Sequence, residues 1–515
     1  MERTALVLRR IFSVVCGVCF GGLTWLCLTR ATPLIPLGPA PILAVAGAML
    51  LGGLVFALAG RWAEACLAKH PGRTRRIELV LVCGGFAIYL LLQLAFARAL
   101  YPVDGLDTWD FTNIAEYAKQ YVTTGAKPDA YFALYPNNIP YYVLLCLVFR
   151  PFAGLGFNLH TVGIGLNILM IDAALLLGWL VLKKLTGSPT AGLLYLGFGF
   201  ASLPLLSYVA IYYTDTLTLP FPVGCLYLWL CAKQQLEAHR TGLGLTLCGL
   251  CAAWGALGML LKLSAGFILI AIAVDACLLL GSRALRPCLP VLAAVFCAVY
   301  FPLHLACTAA PVRVQREDDT FLVPKTHWIM MGLHENGSYY DPDYQLTLSV
   351  PPDQREAFVR QEILRRVQAY GPRGLWEHQT EKAAFTWADG TYYSAIKLLR
   401  GRRGPSRLDG WLTASGGRFG LTALYCQALL LLNLAGITAG AFSLWQKKAR
   451  SLPLFPALIS VFGLFLFLSL WETRSRYLFN YLPVFLVISV WVLWQLALWL
   501  AQVCRARRSQ TPVQA

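Results

Sequence analysis

Uncharged apolar runs of about twenty residues recur along most of this 515-residue chain, and about twenty are needed to cross a bilayer. A water-soluble core of this size would not tolerate so many. With 57% hydrophobic and 13% charged residues, the chain reads as an all-α polytopic membrane protein. Helix is the expected form of each run, because an isolated span in lipid must satisfy its own backbone hydrogen bonds. The first run, "IFSVVCGVCFGGLTWLCLT", follows a basic start (Arg3, Arg9, Arg10). It is long for a signal peptide, no clear cleavage site follows, and more spans come directly after, so it reads as a retained helix.

The hydropathy pattern predicts spans near 11–29, 40–60, 77–100, 162–182, 189–207, 216–232, 242–260, 262–280, 287–308, 418–443, 452–471 and 478–501. A further apolar stretch covers 139–156. The formal charge of +17 could suggest nucleic acid, but placement argues otherwise. Much of the Lys and Arg lies in short connectors beside apolar runs, where it sets orientation. Arg402, Arg403 and Arg407 form the largest other cluster, which a solvated or headgroup-facing loop explains. The basic N-terminus, "GRWAEACLAKHPGRTRR", the Lys183–Lys184 connector, "AKQQLEAHR", "GSRALRP", "WQKKARS" and "CRARR" all go to the cytoplasmic side. That parity requires 139–156 not to cross; Asn137, Asn138 and Pro140 open it and Arg150–Pro151 interrupts it. The expectation is twelve spans, both termini inside, and a re-entrant or surface segment at 139–156. The alternative is that 139–156 crosses and Lys183–Lys184 is an exception.

The predicted organisation is three N-terminal spans (1–100), a first outer loop with an amphipathic helix and the re-entrant segment (101–160), and a membrane core (161–308). An outer loop domain (309–417) and three final spans with a basic tail (418–515) follow. The sixteen cysteines lie nearly all in or beside apolar runs, the two long polar loops hold none, and no disulfide framework is expected. "CGVC" and "CGLC" sit within membrane runs.

This topology collects the unusual polar residues on the outer face. In "YPVDGLDTWDFTNIAEYAKQY", Asp104, Asp107 and Asp110 crowd the end of an apolar run. From Phe111 onward, Ile114, Ala115, Ala118 and Val122 recur at helical spacing, with Thr112, Asn113, Glu116 and Lys119 between them. A surface helix follows, with Asp107 as its N-cap and Asp110 favoured by the helix dipole. One carboxylate suffices for capping; three in seven residues repel one another at a low-dielectric boundary, which raises the pKa of at least one and suits a general base. Asp215, alone in "IYYTDTLTLP", is costly near membrane depth without a partner. It is either a functional acid or the cap of the following span. Glu472, Arg474 and Arg476 in "LWETRSRYLFNYLP" break the positive-inside bias, and Lys262 lies at another outer boundary. Arginine holds phosphate with a planar fork, so these cations could clamp a lipid phosphate; an internal ion pair is the alternative. His327, His334 and Glu335 are too loosely spaced for a metal site. No GxGxxG, P-loop or HExxH is present, and glycines as in "CGGFA" read as helix-packing positions.

The acidic loop after an early span, "DFTNIAEYAKQYVTTG" and "DAYFALYPNNIPYYVLL" resemble the first outer loop of GT-C glycosyltransferases. The nearest are the protein mannosyltransferase and lipid A aminoarabinose transferase group, glycosyltransferase family 39. With "YYTDTL", "ALGMLLKLSAGF", "WIMMGLHENGSYYDPDY" and "SRYLF", the chain looks like multi-pass glycosyltransferases of Gram-positive bacteria. The resemblance implies a GT-C-like bundle that transfers a sugar, with inversion, from a polyprenyl-phosphate carrier to a glycan, lipid or protein acceptor on the outer face. It implies Asp110 as base with Asp107 in reserve and Asp215 assisting. Lys262, Arg474 and Arg476 would hold the donor phosphate, with Asp104, Tyr135, Asn137, Asn138, Glu472 and Tyr477 in support. It implies no metal and no cofactor. The family's Asp-Glu pair is Asp110-Phe111 here, and two extra spans precede the loop. A transporter or lipid flippase, which would show internal repeats and broken helices, and a non-catalytic envelope scaffold are the rival classes.

Overall fold

The computed structural model describes residues 2–30, 37–107, 109–128, 131–278, 285–309, 322–400, 403–446 and 453–510; Arg402 lies outside them. Among the described residues the chain is helical, and nine helices are long and apolar enough to cross a membrane. They are Leu6–Thr29, Pro39–Leu67, Pro71–Ala99, Leu159–Thr186, Thr214–Glu237, Thr241–Leu261, Cys288–Ala309, Phe419–Trp445 and Ser475–Ala506, with two shorter apolar helices at Leu263–Leu278 and Phe455–Leu470. These eleven match eleven of the twelve expected runs.

The twelfth, 189–207, is not one helix. It divides into Pro189–Phe200 and Leu203–Ser207. Pro204 sits just after the break, where it cannot donate the amide that a continuous helix would need. The 139–156 stretch forms a helix at Ile139–Ala153, preceded by a 3-10 turn over Pro136–Asn138. At about 1.5 Å per residue it extends about 22 Å, short of the ~30 Å hydrocarbon core. It packs on Asp110–Thr124 and on Leu159–Thr186.

The core follows from which helices lose their solvent or lipid contact. The Thr214–Glu237 window is 83% buried and Cys288–Ala309 only 11%, so the former is central and the latter peripheral. The first helix lies along Phe419–Gln446, although the two are about 400 residues apart in sequence, as the bond from Ser13 to the Ala441 carbonyl shows. Gly85 of "CGGFA" does serve packing, since a Cβ there would meet the Phe200 ring at 2.9 Å, whereas Gly84 faces open space. Two connector lysines have partners beyond any role in orientation: Lys183 pairs with Glu78 at 2.7 Å, and Lys233 with Asp275 at 2.9 Å. All sixteen cysteines carry free thiols.

Within the long 309–417 loop, short helices at His327–Met331 and Asp341–Leu348 pack on Arg355–Trp387. That last element is two helices joined at Gly371, whose φ of +60° with ψ of 179° suits glycine and is followed by Pro372. Arg366 clamps this unit, donating to both Asp343 oxygens at 2.6 and 2.8 Å and to Glu362 at 2.8 Å. The buried Lys382 amine donates to the Gly332 carbonyl at 2.8 Å and so ties the loop start to the second helix.

Candidate active site

The three clustered aspartates do three different things. The helix starts at Asp110 itself, with Trp109 as an extended N-cap that makes no side-chain cap bond. Asp107 is therefore not the cap. Its backbone amide instead donates to Asn113 Oδ1 at 2.8 Å, which folds the preceding segment back over the first turn. Asp104 is exposed and pairs with Lys119 at 2.6 Å and His160 at 3.1 Å. The hydrogen bond from Lys119 holds the Asp104 carboxyl below its ordinary range, the reverse of the rise expected from mutual repulsion. Asp110 faces inward. Its Oδ1 accepts from Tyr131 at 2.8 Å and its Oδ2 from Tyr213 at 3.4 Å. Asn138 donates to the Tyr131 hydroxyl at 2.9 Å, so the "YPNN" turn reaches Asp110 through one tyrosine.

The helix is also less one-sided than its pattern predicts. Thr112 and Glu116, placed on its polar face by spacing, are buried. Thr112 bonds the Trp109 carbonyl at 2.9 Å, and Glu116 accepts from Gln120 at 3.0 Å and from the Gly105 amide at 3.3 Å. A helix with polar residues held on both sides is sandwiched rather than laid on a surface.

Asp215, fully buried at the start of Thr214–Leu217, is the second anchor. It serves as a counter-ion rather than a cap: Lys262 Nζ donates to Oδ1, and Arg476 Nη1 lies 3.4 Å from Oδ2. Lys262 can reach it because the chain goes extended there (φ −153°, ψ 118°) between Thr241–Leu261 and a 3-10 turn, Leu263–Gly266. Asn480 ties that turn to Ser475–Tyr481 by bonding Ser264 at 3.1 Å. Arg476 stands over the Tyr213 ring at 5.6 Å and the Tyr477 ring at 5.0 Å. Tyr213 thus links the two acidic centres, its hydroxyl toward Asp110 and its face toward the guanidinium that serves Asp215. Glu472 accepts from Tyr477 at 2.8 Å and lies 3.6 Å from Arg474, so part of the internal ion-pair alternative holds as well.

Arg474 has a further partner that sequence reading missed. Its Nη1 donates to the Tyr393 hydroxyl at 2.9 Å. Tyr392 and Tyr393 have φ of +52° and +65°, a strained conformation for bulky residues that persists only where surrounding bonds enforce it. Asp389 enforces it. Its carboxylate accepts from the Thr391 amide and hydroxyl, the Tyr393 amide and the Ser475 hydroxyl, all between 2.7 and 2.9 Å. Gly390 lets this turn approach the Phe419–Gln446 helix, since a Cβ would stand 2.4 Å from the Cys426 backbone. The "WADGTYYS" stretch therefore fixes a tyrosine against one arginine and pins the segment that carries both. A Gly flanked by Asp and paired aromatics was the only sequence signal.

The remaining expectations divide. Tyr135 packs on Tyr131 at 5.2 Å, and Asn138 is engaged, whereas Asn137 is exposed and, among the described residues, bonds only Asn138 at 3.3 Å. His327 bonds Thr347 at 2.7 Å and His334 stacks on Tyr340 at 3.7 Å, so they serve separate packing roles. The metal-capable group among the described residues is elsewhere, at Asp104, Glu116 and His160, with ligand atoms within 4.8 Å of one another. Lys119 Nζ already stands in it, 2.6 Å from Asp104 and 3.4 Å from Glu116.

A family model described as a conserved hypothetical integral membrane protein matches residues 41–497. No curated protein matches the chain. Among solved structures, the chain is similar to the archaeal oligosaccharyltransferase AglB from Archaeoglobus fulgidus in complex with an inhibitory peptide and a dolichol-phosphate. The TM-score is 0.48 at 16% identity, covering 86% of this chain and 52% of that one. It is also similar to the Archaeoglobus fulgidus oligosaccharyltransferase tethered to an acceptor peptide containing the NVT sequon, with TM-score 0.46, 14% identity, and 84% and 51% coverage. The chain spans about half the length of these structures.

Proposed function

The chain belongs to the family of conserved hypothetical integral membrane proteins, and within it we propose a membrane glycosyltransferase of GT-C type. It moves a sugar from a polyprenyl-phosphate carrier to an acceptor on the extracytoplasmic face, with inversion. The observation that carries this reading is the convergence on Tyr213: an inward-facing carboxylate, Asp110, on one side and the Arg476–Asp215–Lys262 cluster on the other. The resemblance of the outer-loop motifs to family 39 supports it independently.

In this mechanism Asp110 takes the proton of the acceptor as its oxygen or nitrogen attacks the anomeric carbon. The carbon–oxygen bond to the carrier breaks on the opposite side of the sugar, and its electron pair goes to the phosphate. Arg474 and Arg476, fixed by Asp389 and stacked on tyrosines, and Lys262 stabilise the charge that develops there. Tyr131 and Asn138 orient Asp110 and release it when an acceptor donates instead. The carrier allows a sugar activated on the cytoplasmic side to react outside, where no nucleotide site is required.

The test is the purified protein in nanodiscs with a panel of polyprenyl-phosphate sugars. Neither transfer nor sugar release with any acceptor would sink the enzyme reading. The breaks at Ser202 and Lys262 also suit a transporter or flippase. Movement of an intact carrier across the bilayer without loss of sugar would favour that reading.

A further inference from the structure

We propose that Lys397 is a further phosphate-binding cation of the donor site, and the one that arrives without a counter-ion. The proposal rests on the glycosyltransferase reading above and names a residue that no sequence motif singles out. Lys397 lies on the helix Ser394–Arg400, one turn after the strained Tyr392–Tyr393 pair, and is only 4% exposed. Its amine stands over the Trp109 ring at 4.3 Å, immediately beside Asp110 in the chain. With Trp109, Pro102, Thr112 and Arg403 it lines a cavity against the first turn of the Asp110 helix.

What distinguishes this lysine is the company it lacks. The other three cations assigned to the donor phosphate each have a carboxylate: Lys262 and Arg476 share Asp215, and Arg474 lies beside Glu472. Lys397 has no ion pair or hydrogen bond among the described residues, only the face of Trp109. The charged groups that act on it are Arg476, Arg474 and Arg400, which oppose its charge, and Asp110, which favours it. Burial and those arginines push its amine down to about 5, so the charged form is disfavoured unless an anion faces it. A buried amine without a counter-ion is costly to protonate unless something supplies the missing negative charge. The Trp109 ring under the amine lies 6.3 Å from the Tyr213 ring that faces Arg476, so an anion entering between Lys397 and Arg476 supplies that charge, and the amine takes a proton as it enters. The carrier phosphate gains a second negative charge when the sugar leaves, and a lysine that charges on demand meets it.

The experiment uses the full chain in phosphatidylcholine nanodiscs and measures binding of a polyprenyl phosphate, the uncharged polyprenol and inorganic phosphate. Calorimetry in buffers of different ionisation enthalpy reports the accompanying protons. The unmodified protein should hold polyprenyl phosphate more tightly than polyprenol or inorganic phosphate. Lys397→Met should weaken polyprenyl phosphate by about tenfold or more, as expected for one lost charge-assisted contact, and leave polyprenol unchanged. Lys397→Arg, permanently charged, should retain binding but take up about one proton fewer than the unmodified protein. If Lys397→Met binds the phosphate as tightly, or Lys397→Arg shows the same proton uptake, the assignment of Lys397 fails while the donor reading stands. If the unmodified protein does not prefer the phosphate to the alcohol, both fail. A variant with a lowered melting temperature is replaced by Lys397→Gln, judged by the same two readouts.

Discussion

The Tyr131 hydroxyl donates to Asp110 Oδ1 at 2.8 Å, and in doing so connects the first residue of the Asp110–Thr124 helix to a segment 21 residues further on. Among the described residues Asp110 is held by two phenols and pairs with no cation, so its carboxylate keeps an acceptor position for a substrate proton. Removing that position should separate chemistry from folding. Asp110→Asn is expected to lower sugar transfer by roughly 10²- to 10⁴-fold, the usual worth of a general base, with a melting temperature close to the unmodified protein's. Tyr131→Phe should lose less, because it orients Asp110 without taking the proton. Full transfer by Asp110→Asn would mean that the base lies elsewhere.

Asp215 balances two buried cations, so its loss should act mainly on stability. Asp215→Ala leaves Lys262 and Arg476 uncompensated and is expected to cost about 3–5 kcal/mol. Removing Lys262 as well (Lys262→Met) should return about 1–3 kcal/mol of that loss, since contacting charges are not additive. Thermal or SDS unfolding of the two single variants and the double variant closes the cycle. Simple additivity would show that the pair is not coupled.

At Gly390 the limit is space. A Cβ there would stand 2.4 Å from the Cys426 carbonyl carbon, which is backbone and cannot swing away. Gly390→Ala should cost about 1–3 kcal/mol or more through forced backbone movement. It should also raise the KM for donor, because the same turn positions Tyr393 against Arg474. An unchanged melting temperature would contradict the tight approach described for this turn.

The helices of the 309–417 loop carry their own acid sensitivity. The hydrogen bond from Arg365, with Arg366, pulls the Glu362 carboxyl from an ordinary 4.5 to about 2. A depressed folded-state pKa contributes stability that is present above pH 4.5 and is lost as pH falls toward 2. Arg365 is largely exposed, so solvent screens much of that contribution. Glu362→Gln should flatten the decline in melting temperature between about pH 5 and pH 2. A variant that declines as steeply as the unmodified protein would assign the acid sensitivity to other carboxylates.

Hydropathy and local residue type determined the class of this protein, because crossing a bilayer is a requirement each segment meets alone. Eleven of the twelve expected spans correspond to apolar helices, and the short 139–156 stretch, Asp215, Lys262 and Arg476 were all legible as exceptions to local rules. The break before Pro204 was legible in principle and was missed because apolar character continues through it. What only the tertiary structure decided is which exceptions meet. Spacing made Asp107 a cap, but Asn113 captured its amide and the helix began at Asp110. Tyr213, Asp389, Tyr393 and Lys397 take their roles from residues more than 80 positions away, such as Asp110, Ser475, Arg474 and Trp109. A buried charge is satisfied by whatever the fold brings within about 3–4 Å, and no periodicity in the chain records that distance.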